Sequence, residues 1–279
     1  MSGCPACGAA TGFTPSFRGL DSCMTCGFLF LRNTAGIDFS SLYGAGLFRR
    51  RGAPRLPRPG ARSMRRHLEQ MARFRPHGGA LFEVGAAYGF FLDEATADYD
   101  STEGIEISEG AAEHARRAYG ANVLVGDFTA LDATRRKVDV VCLWDTIEHV
   151  PGPDLFVGKA HELLADGGWL FLTTGDLGSL NARVRGSRWR QIHPPSHVNY
   201  FSRQTMRRLL ERLGFRVAGI ETAAYYHTLY DVLATVELRG GPAGRAAHAI
   251  LRVVPRGLAD RLGFWINLGD TMFVAAQRR

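Results

Sequence analysis

The sequence predicts an α/β protein: a doubly wound, mostly parallel seven-stranded sheet with helices on both faces, preceded by a small metal-binding module. Three observations carry this. From Ala80 onward, short apolar runs at strand length alternate with amphipathic stretches at helix length. Four of the five cysteines fall in the first 26 residues as two C-x-x-C pairs. Finally, 279 residues with 46% hydrophobic and 22% charged side chains suit one large α/β domain plus an accessory unit, and argue against a disordered chain.

The first element is the cysteine module, residues 1–43. Cys4-Pro5-Ala6-Cys7-Gly8 and Cys23-Met24-Thr25-Cys26-Gly27 stand 15 residues apart, a zinc-ribbon-like spacing. Each knuckle aims two sulfurs at one point, and four thiolates close a tetrahedral shell, so Cys4, Cys7, Cys23 and Cys26 are expected to hold a structural Zn²⁺. So short a segment cannot bury a core, and the metal would supply most of its folding free energy. The alternatives are two disulfides or a redox pair. Disulfides fit poorly with an N-terminus that lacks a basic patch and apolar stretch, from which a cytoplasmic location is expected. Phe28–Leu31 reads as the module's closing strand.

Residues 44–62, rich in Arg, Pro and Gly, read as a linker. Met64, Leu68 and Met71 then space a helix over 63–75. The main domain, 63–279, follows. Strands are expected at 80–84, 101–107, 122–125, 138–144, 169–174 and 215–221, with helices at 89–97, 109–119, 155–164 and 203–213. Residues 271–276 supply the seventh strand. Cys142, inside the apolar fourth strand, reads as core. A helical insertion is expected at about 224–265, broken by Gly240-Gly241-Pro242 and Pro255. No apolar run approaches the ~18 residues of a membrane span.

Ligands of such sheets bind beyond the carboxyl ends of the strands. Strand one runs into Glu83-Val84-Gly85-Ala86-Ala87-Tyr88-Gly89, where Gly85 and Gly89 permit a tight turn and close approach to a helix N-terminus. Strand two ends in Glu106, whose carboxylate can accept two hydrogen bonds from a ribose diol. Strand three ends in Gly126-Asp127-Phe128, an acceptor for an adenine amino group beside an aromatic face.

These residues resemble the class I S-adenosylmethionine-dependent methyltransferases, over roughly residues 78–279. The family's E/D-x-G-x-G-x-G is matched at Glu83, Gly85 and Gly89, with Ala87 where the middle glycine usually sits. Asp145-Thr146-Ile147-Glu148-His149-Val150 is similar to the "EHV" segment of many small-molecule methyltransferases, as is Trp189…His193-Pro194-Pro195-Ser196-His197…Tyr200-Phe201-Ser202. The resemblance implies a Rossmann-like sheet and S-adenosylmethionine held by Glu83, Gly85, Ala87, Gly89, Glu106, Asp127, Phe128 and Asp145. A nicotinamide enzyme would need glycines at positions 87 and 90, which are Ala87 and Phe90. A methyltransferase-like binding protein without catalysis is the remaining alternative.

Methyl transfer from a sulfonium is an in-line displacement driven largely by positioning, and an oxygen or nitrogen nucleophile gains from a base of near-neutral pKa. His149, His193 and His197 are the candidates. Asp145, Glu148 and His149 also form D-x-x-E-H, similar to the E-x-x-E-H of small-RNA 2′-O-methyltransferases and ubiquinone-pathway O-methyltransferases. There it implies Mg²⁺-assisted attack, but capping and packing of the next helix is the favoured reading here. Trp189, Tyr200, Tyr225 and Tyr226 are possible walls of the acceptor pocket.

The expected acceptor is a small molecule or glycan-type biosynthetic intermediate. RNA is the alternative, raised by the net charge of +7 and by ten arginines between Arg49 and Arg75. Zinc-bearing rRNA guanine methyltransferases also begin with a C-P-x-C knuckle, although their fourth ligand is typically histidine where this chain has Cys26. Within the insertion, Ile250, Leu251, Val253, Val254, Leu258 and Leu262 mix with Arg252, Arg256 and Arg261. Such an amphipathic face suits a lid over the pocket or a homodimer surface, ahead of a membrane or a lipid-linked substrate.

Overall fold

A computed structural model describes residues 3–10, 12–34, 36–39, 59–134 and 136–279. The N-terminal module contributes three short antiparallel strands: β1 (Phe13–Pro15), β2 (Asp21–Cys23) and β3 (Leu29–Phe30). Most of the expected linker, 44–58, lies outside the described residues. Its last four residues already belong to helix α1 (Pro59–Ala72), which begins earlier than its apolar spacing implied. Proline is well placed in a first helical turn, where its missing N–H costs nothing.

The main domain then runs β4 (Ala80–Val84), α2 (Phe90–Ala95), β5 (Ser101–Glu106), α3 (Glu109–Tyr119), β6 (Val123–Val125), β7 (Val138–Trp144), α4 (Pro153–Leu163) and β8 (Leu164–Gly175). Local chemistry sets the helix ends. The Ser108 hydroxyl accepts from Ala111 N to start α3, and Gly120 at φ 66° stops it. β8 starts five residues before the expected Trp169, because Gly167-Gly168 masks its pattern as a turn. There follow α5 (Leu180–Arg185), β9 (Asn199–Tyr200), α6 (Arg203–Arg212) and β10 (Phe215–Thr222).

The expected insertion is helical, as α7 (Leu229–Arg239), α8 (Gly241–Val253) and α9 (Arg256–Arg261), but it stands on a strand pair the sequence did not reveal. β11 (Tyr225–Thr228) and β12 (Gly263–Ile266) pair antiparallel, Tyr225 opposite Ile266 and Thr228 opposite Gly263. β13 (Thr271–Arg278) returns the chain to the main sheet.

The seven strands lie in the order β10-β13-β8-β7-β4-β5-β6. β4 through β8 are parallel and β13 is antiparallel between β8 and β10. Strand order reverses at β4, with β5 on one side and β7 on the other, which opens a crevice at their carboxyl ends. β7 alternates between two cores: Val141 and Leu143 face one, Val140, Cys142 and Trp144 the other. Cys142 is fully buried there, as expected.

The cysteine module is not a separate bead. β9, from the main domain, is the fourth strand of its sheet, with Leu29 opposite Tyr200 and Phe30 opposite Asn199. Phe28 packs on Phe201 with ring centroids 4.9 Å apart. Arg212 of α6 donates to the carbonyls of Pro5 and Ala6.

Candidate active site

A cavity of about 640 Å³ opens at the carboxyl ends of the parallel strands, lined among others by Gly85, Ala87, Glu106, Asp127, Asp145 and His149. The turn after β4 forms its floor. Gly85 sits at φ 75°, and a Cβ there would lie 2.8 Å from Thr146 Oγ1. Ala87, at the usual glycine position, also takes a positive φ, 46°. That left-handed conformation costs about 1 kcal/mol for a residue with a Cβ. It is held by the Ala87 N–H donating to Glu106 Oε2 at 2.9 Å. Gly89 is not among the lining residues: a Cβ there would meet Ala115 Cβ at 2.8 Å, so close packing of α2 on α3 demands the glycine.

The three expected acids occupy different environments. Glu106 accepts from Ala87 N and, through Oε1 at 2.8 Å, from Ser108 N. Burial raises its pKa, and those backbone donors oppose the rise. Asp127 uses Oδ1 to cap the next turn, accepting from Thr129 N and Oγ1, and its side of the cavity is open to solvent. Glu83 is buried beneath the turn and does not line the cavity. Its Oε2 has no hydrogen-bond partner among the described residues, and burial, then the nearby Glu106, pushes its pKa well up. Phe128 is a buried wall, packed on Phe82 and Phe156, rather than a free-standing plate.

Asp145 marks the far side, at φ 46°. Its carboxylate accepts from Thr173 Oγ1 at 2.9 Å and from the Tyr225 hydroxyl at 2.9 and 2.8 Å. The insertion's first strand therefore reaches into the site. Among the described residues, the ligand atoms that come within 4.8 Å of one another here are those of Glu148, His149 and His197; Asp145 of the expected group is not among them. Glu148 is buried, its Oε2 lacks a partner among the described residues, and burial together with Asp145 pushes its carboxyl up to about 8.

The three histidines converge. His149 and His197 rings meet edge to face at 4.5 Å, and His193 lies 3.7 Å from His197. His149 Nδ1 stands 2.7 Å from the Ser196 carbonyl oxygen, an acceptor, so Nδ1 carries the proton and Nε2 the lone pair. Burial lowers the His149 pKa. Burial, with His149 and His193 alongside, pushes His197 down to about 2. His193 is exposed, its Nδ1 2.6 Å from Ser196 Oγ.

Sequence reasoning missed what positions this cluster. Asn199, buried on β9, donates from Nδ2 to the Ile147 and Val150 carbonyls, while the Val198 and Asn199 N–H groups both reach the Glu148 carbonyl. No pattern in the sequence signals that grip. Two proposed pocket aromatics are structural instead: Trp189 is buried with Nε1 on Asp270, and Tyr200 is buried with its hydroxyl on the His197 carbonyl. Tyr226 packs with Arg62 at the hairpin.

Cys4, Cys7, Cys23 and Cys26 gather with sulfurs mutually within 4.8 Å, none of them in a disulfide. The Cys4–Cys26 and Cys7–Cys23 separations are 3.6 and 3.8 Å. A tetrahedron with Zn–S of about 2.3 Å has an S···S edge of about 3.8 Å, so the quartet fits a four-thiolate shell.

Residues 57–219, more than half of the chain, match the family model described as a methyltransferase domain. Comparison with curated proteins gives no match. Among solved structures, a protein of Bacillus halodurans C-125 assigned as a methyltransferase superposes with a TM-score of 0.54 at 13% identity, over 76% of this chain and 97% of that one. Magnesium protoporphyrin IX methyltransferase of Synechocystis PCC 6803, with bound SAH, gives 0.51 at 13%, over 79% and 84%. The [4+2]-cyclase SpnF gives 0.50 at 16%, over 77% and 80%. At these identities the likeness is one of fold. The chain belongs to the methyltransferase-domain family and is an S-adenosylmethionine-dependent methyltransferase with a seven-stranded class I sheet.

Proposed function

We propose that the enzyme methylates an oxygen or nitrogen of a small-molecule or glycan-type intermediate, with S-adenosylmethionine seated against Gly85, Ala87, Glu106, Asp127 and Phe128. The observation that carries this reading is His149, half-buried in the cavity lining, with the buried His197 ring against its edge and its Nδ1 2.7 Å from the Ser196 carbonyl oxygen. Bound there, S-adenosylmethionine would supply an electrophilic methyl whose departure leaves the bond pair on sulfur. His149 Nε2 would take the proton that the acceptor loses. His197 holds the His149 ring from its edge, Ser196 fixes its tautomer, and Asp145 is held by Tyr225 facing the reacting centre. His193, exposed at the rim, is a contact for the acceptor.

Two measurements test it. Calorimetry on metal-replete protein is expected to give heat with S-adenosylhomocysteine and none with a nicotinamide dinucleotide; the reverse result ends the reading. Incubation with radiolabelled donor and fractionated metabolite extract then identifies the acceptor. Because burial holds His149 below its ordinary 6.5, the base stays unprotonated through neutrality. Turnover is expected to fall on the acid side of pH 6.5, as Nε2 gains a proton, and a second change near pH 8 would report the Glu148 carboxyl. Asp145, Glu148, His193 and His197 face this group, so an acid limb that persists in His149→Ala would reassign the base.

The orphaned Glu148 Oε2 favours one second reading, a divalent cation on Glu148, His149 and His197. Two imidazoles and a carboxylate suit a transition-metal dication better than Mg²⁺, and such an ion would lower the pKa of a bound hydroxyl. Loss of turnover on chelation, with zinc retained and activity restored by adding back a divalent transition-metal ion, would select it. The Cys quartet is proposed to hold one structural Zn²⁺ per chain, with the module (1–43) and the methyltransferase domain (63–279) folding as one body around β9.

A further inference from the structure

The lobe formed by α7, α8 and α9 is built with its amphipathicity inverted. α8 meets α7 through small residues: Gly244 and Ala247 are buried, and a Cβ on Gly244 would lie 3.1 Å from the Glu237 carbonyl oxygen. The larger apolar side chains point outward. Pro242, Ala246, Ala249, Ile250 and Val253 are spaced i, i+4, i+7, i+8 and i+11, and all are exposed, Val253 by 81%. Leu258 and Leu262 are each 51% exposed, and Phe264 and Trp265 of β12 continue the apolar surface.

Arginines border it. Arg245 and Arg252 are exposed along one side of the α8 stripe and Arg261 follows in α9. None of the three has an acidic partner among the described residues. Arg62 and Arg66 of α1 reach the same hairpin, over the rings of Tyr226 and Trp265. The lobe's acids are already engaged: Asp231 with Thr228 at the start of α7, Glu237 with His248 and Asp260 with Arg256.

We infer that this face docks the enzyme on a bilayer surface carrying anionic lipids. Apolar side chains at the headgroup boundary and arginines beside them are the two attractions such binding needs. A second copy fits less well, because a twofold contact sets the patch against itself and brings Arg245, Arg252 and Arg261 towards their own counterparts. RNA would satisfy the arginines and can stack on Phe264 and Trp265, but it leaves Ile250, Val253, Leu258 and Leu262 without partners, since base stacking needs aromatic faces.

The test is flotation of the full-length protein with phosphatidylcholine vesicles, with and without phosphatidylglycerol. Recovery is expected with the anionic vesicles only and should fall as salt rises. Val253→Glu, at a site exposed enough to leave the fold alone, should abolish it. Arg245→Ala with Arg252→Ala should weaken partitioning about thirtyfold, roughly fivefold for each arginine near an anionic surface. Calorimetry with S-adenosylhomocysteine on the same preparations reads the cofactor cavity separately. Absent flotation, recovery indifferent to lipid charge, or recovery unchanged in Val253→Glu overturns the inference. So does a dimer, seen by light scattering, that Val253→Glu dissociates.

Discussion

Stripping the proposed zinc from the cysteine quartet, or replacing Cys26 with serine, is expected to cut turnover by about a hundredfold while leaving affinity for S-adenosylhomocysteine within a few-fold of its starting value. The reason is the path from sulfur to histidine. The quartet holds β2 and β3, and β3 carries β9 as its neighbour. Leu31 N donates to the Val198 carbonyl at 2.8 Å, one residue beyond His197. Val198 and Asn199 in turn grip the turn that bears Glu148 and His149. Phe28 and Phe30 pack into the main domain's core, so what the metal adds is the order of the two cysteine turns; in modules without such packing it is worth about 10 kcal/mol or more. A displacement of about 1 Å at a reacting group costs on the order of 10² in rate. Gly85, Glu106 and Asp127 stand at the carboxyl ends of β4, β5 and β6, none of which pairs with β9. Asn199→Ala provides the control with the module intact: losing its two hydrogen bonds to buried carbonyls should lower kcat roughly tenfold. It should leave zinc content and cofactor affinity alone. Metal-free protein with full turnover, or Asn199→Ala with unchanged kcat, would break the chain of contacts.

That coupling also marks where sequence reading stops. β4, β7 and α3 are found at their expected bounds, because each is written in a local code: a continuous apolar run between turn residues, or a 3.6-residue period with Ser108 before it and Gly120 after it. Glu106 and Asp127 are found at strand ends on the cavity for the same reason. β9 is two residues long and β11 four, and each gains its partner from a segment remote in the chain. Neither carries enough pattern to announce itself. His197 comes beside Glu148 and His149 for the same reason. A spacing of D-x-x-E-H records who is near in sequence, whereas Tyr225, eighty positions away, decides which carboxylate is occupied. Ala87 is the converse case: a departure from glycine that looks mild in sequence takes a positive φ, and its N–H is held by Glu106.

Glu106→Ala is expected to raise the dissociation constant for S-adenosylhomocysteine by a hundredfold or more, measured by calorimetry. Each carboxylate oxygen already accepts one backbone N–H and retains a lone pair toward the cavity. A ribose diol bonded there makes two charge-assisted hydrogen bonds, each worth about 1.5–3 kcal/mol. Alanine removes both and leaves the Ala87 and Ser108 N–H groups facing an apolar methyl, so the strained turn at Ala87 loses its tie as well. Glu106→Gln separates the two contributions. Its amide keeps one accepting oxygen but presents an NH₂ to whichever backbone donor lies opposite, so a loss close to that of alanine means the turn matters as much as the diol. Asp127→Ala should cost less than tenfold, since that carboxylate is exposed to water and spends Oδ1 on Thr129. Burial is what separates them: a hydrogen bond out of solvent is not replaced by water when its acceptor is removed. Equal losses at positions 106 and 127 would mean that the cavity's water, not its backbone donors, governs how the cofactor is held.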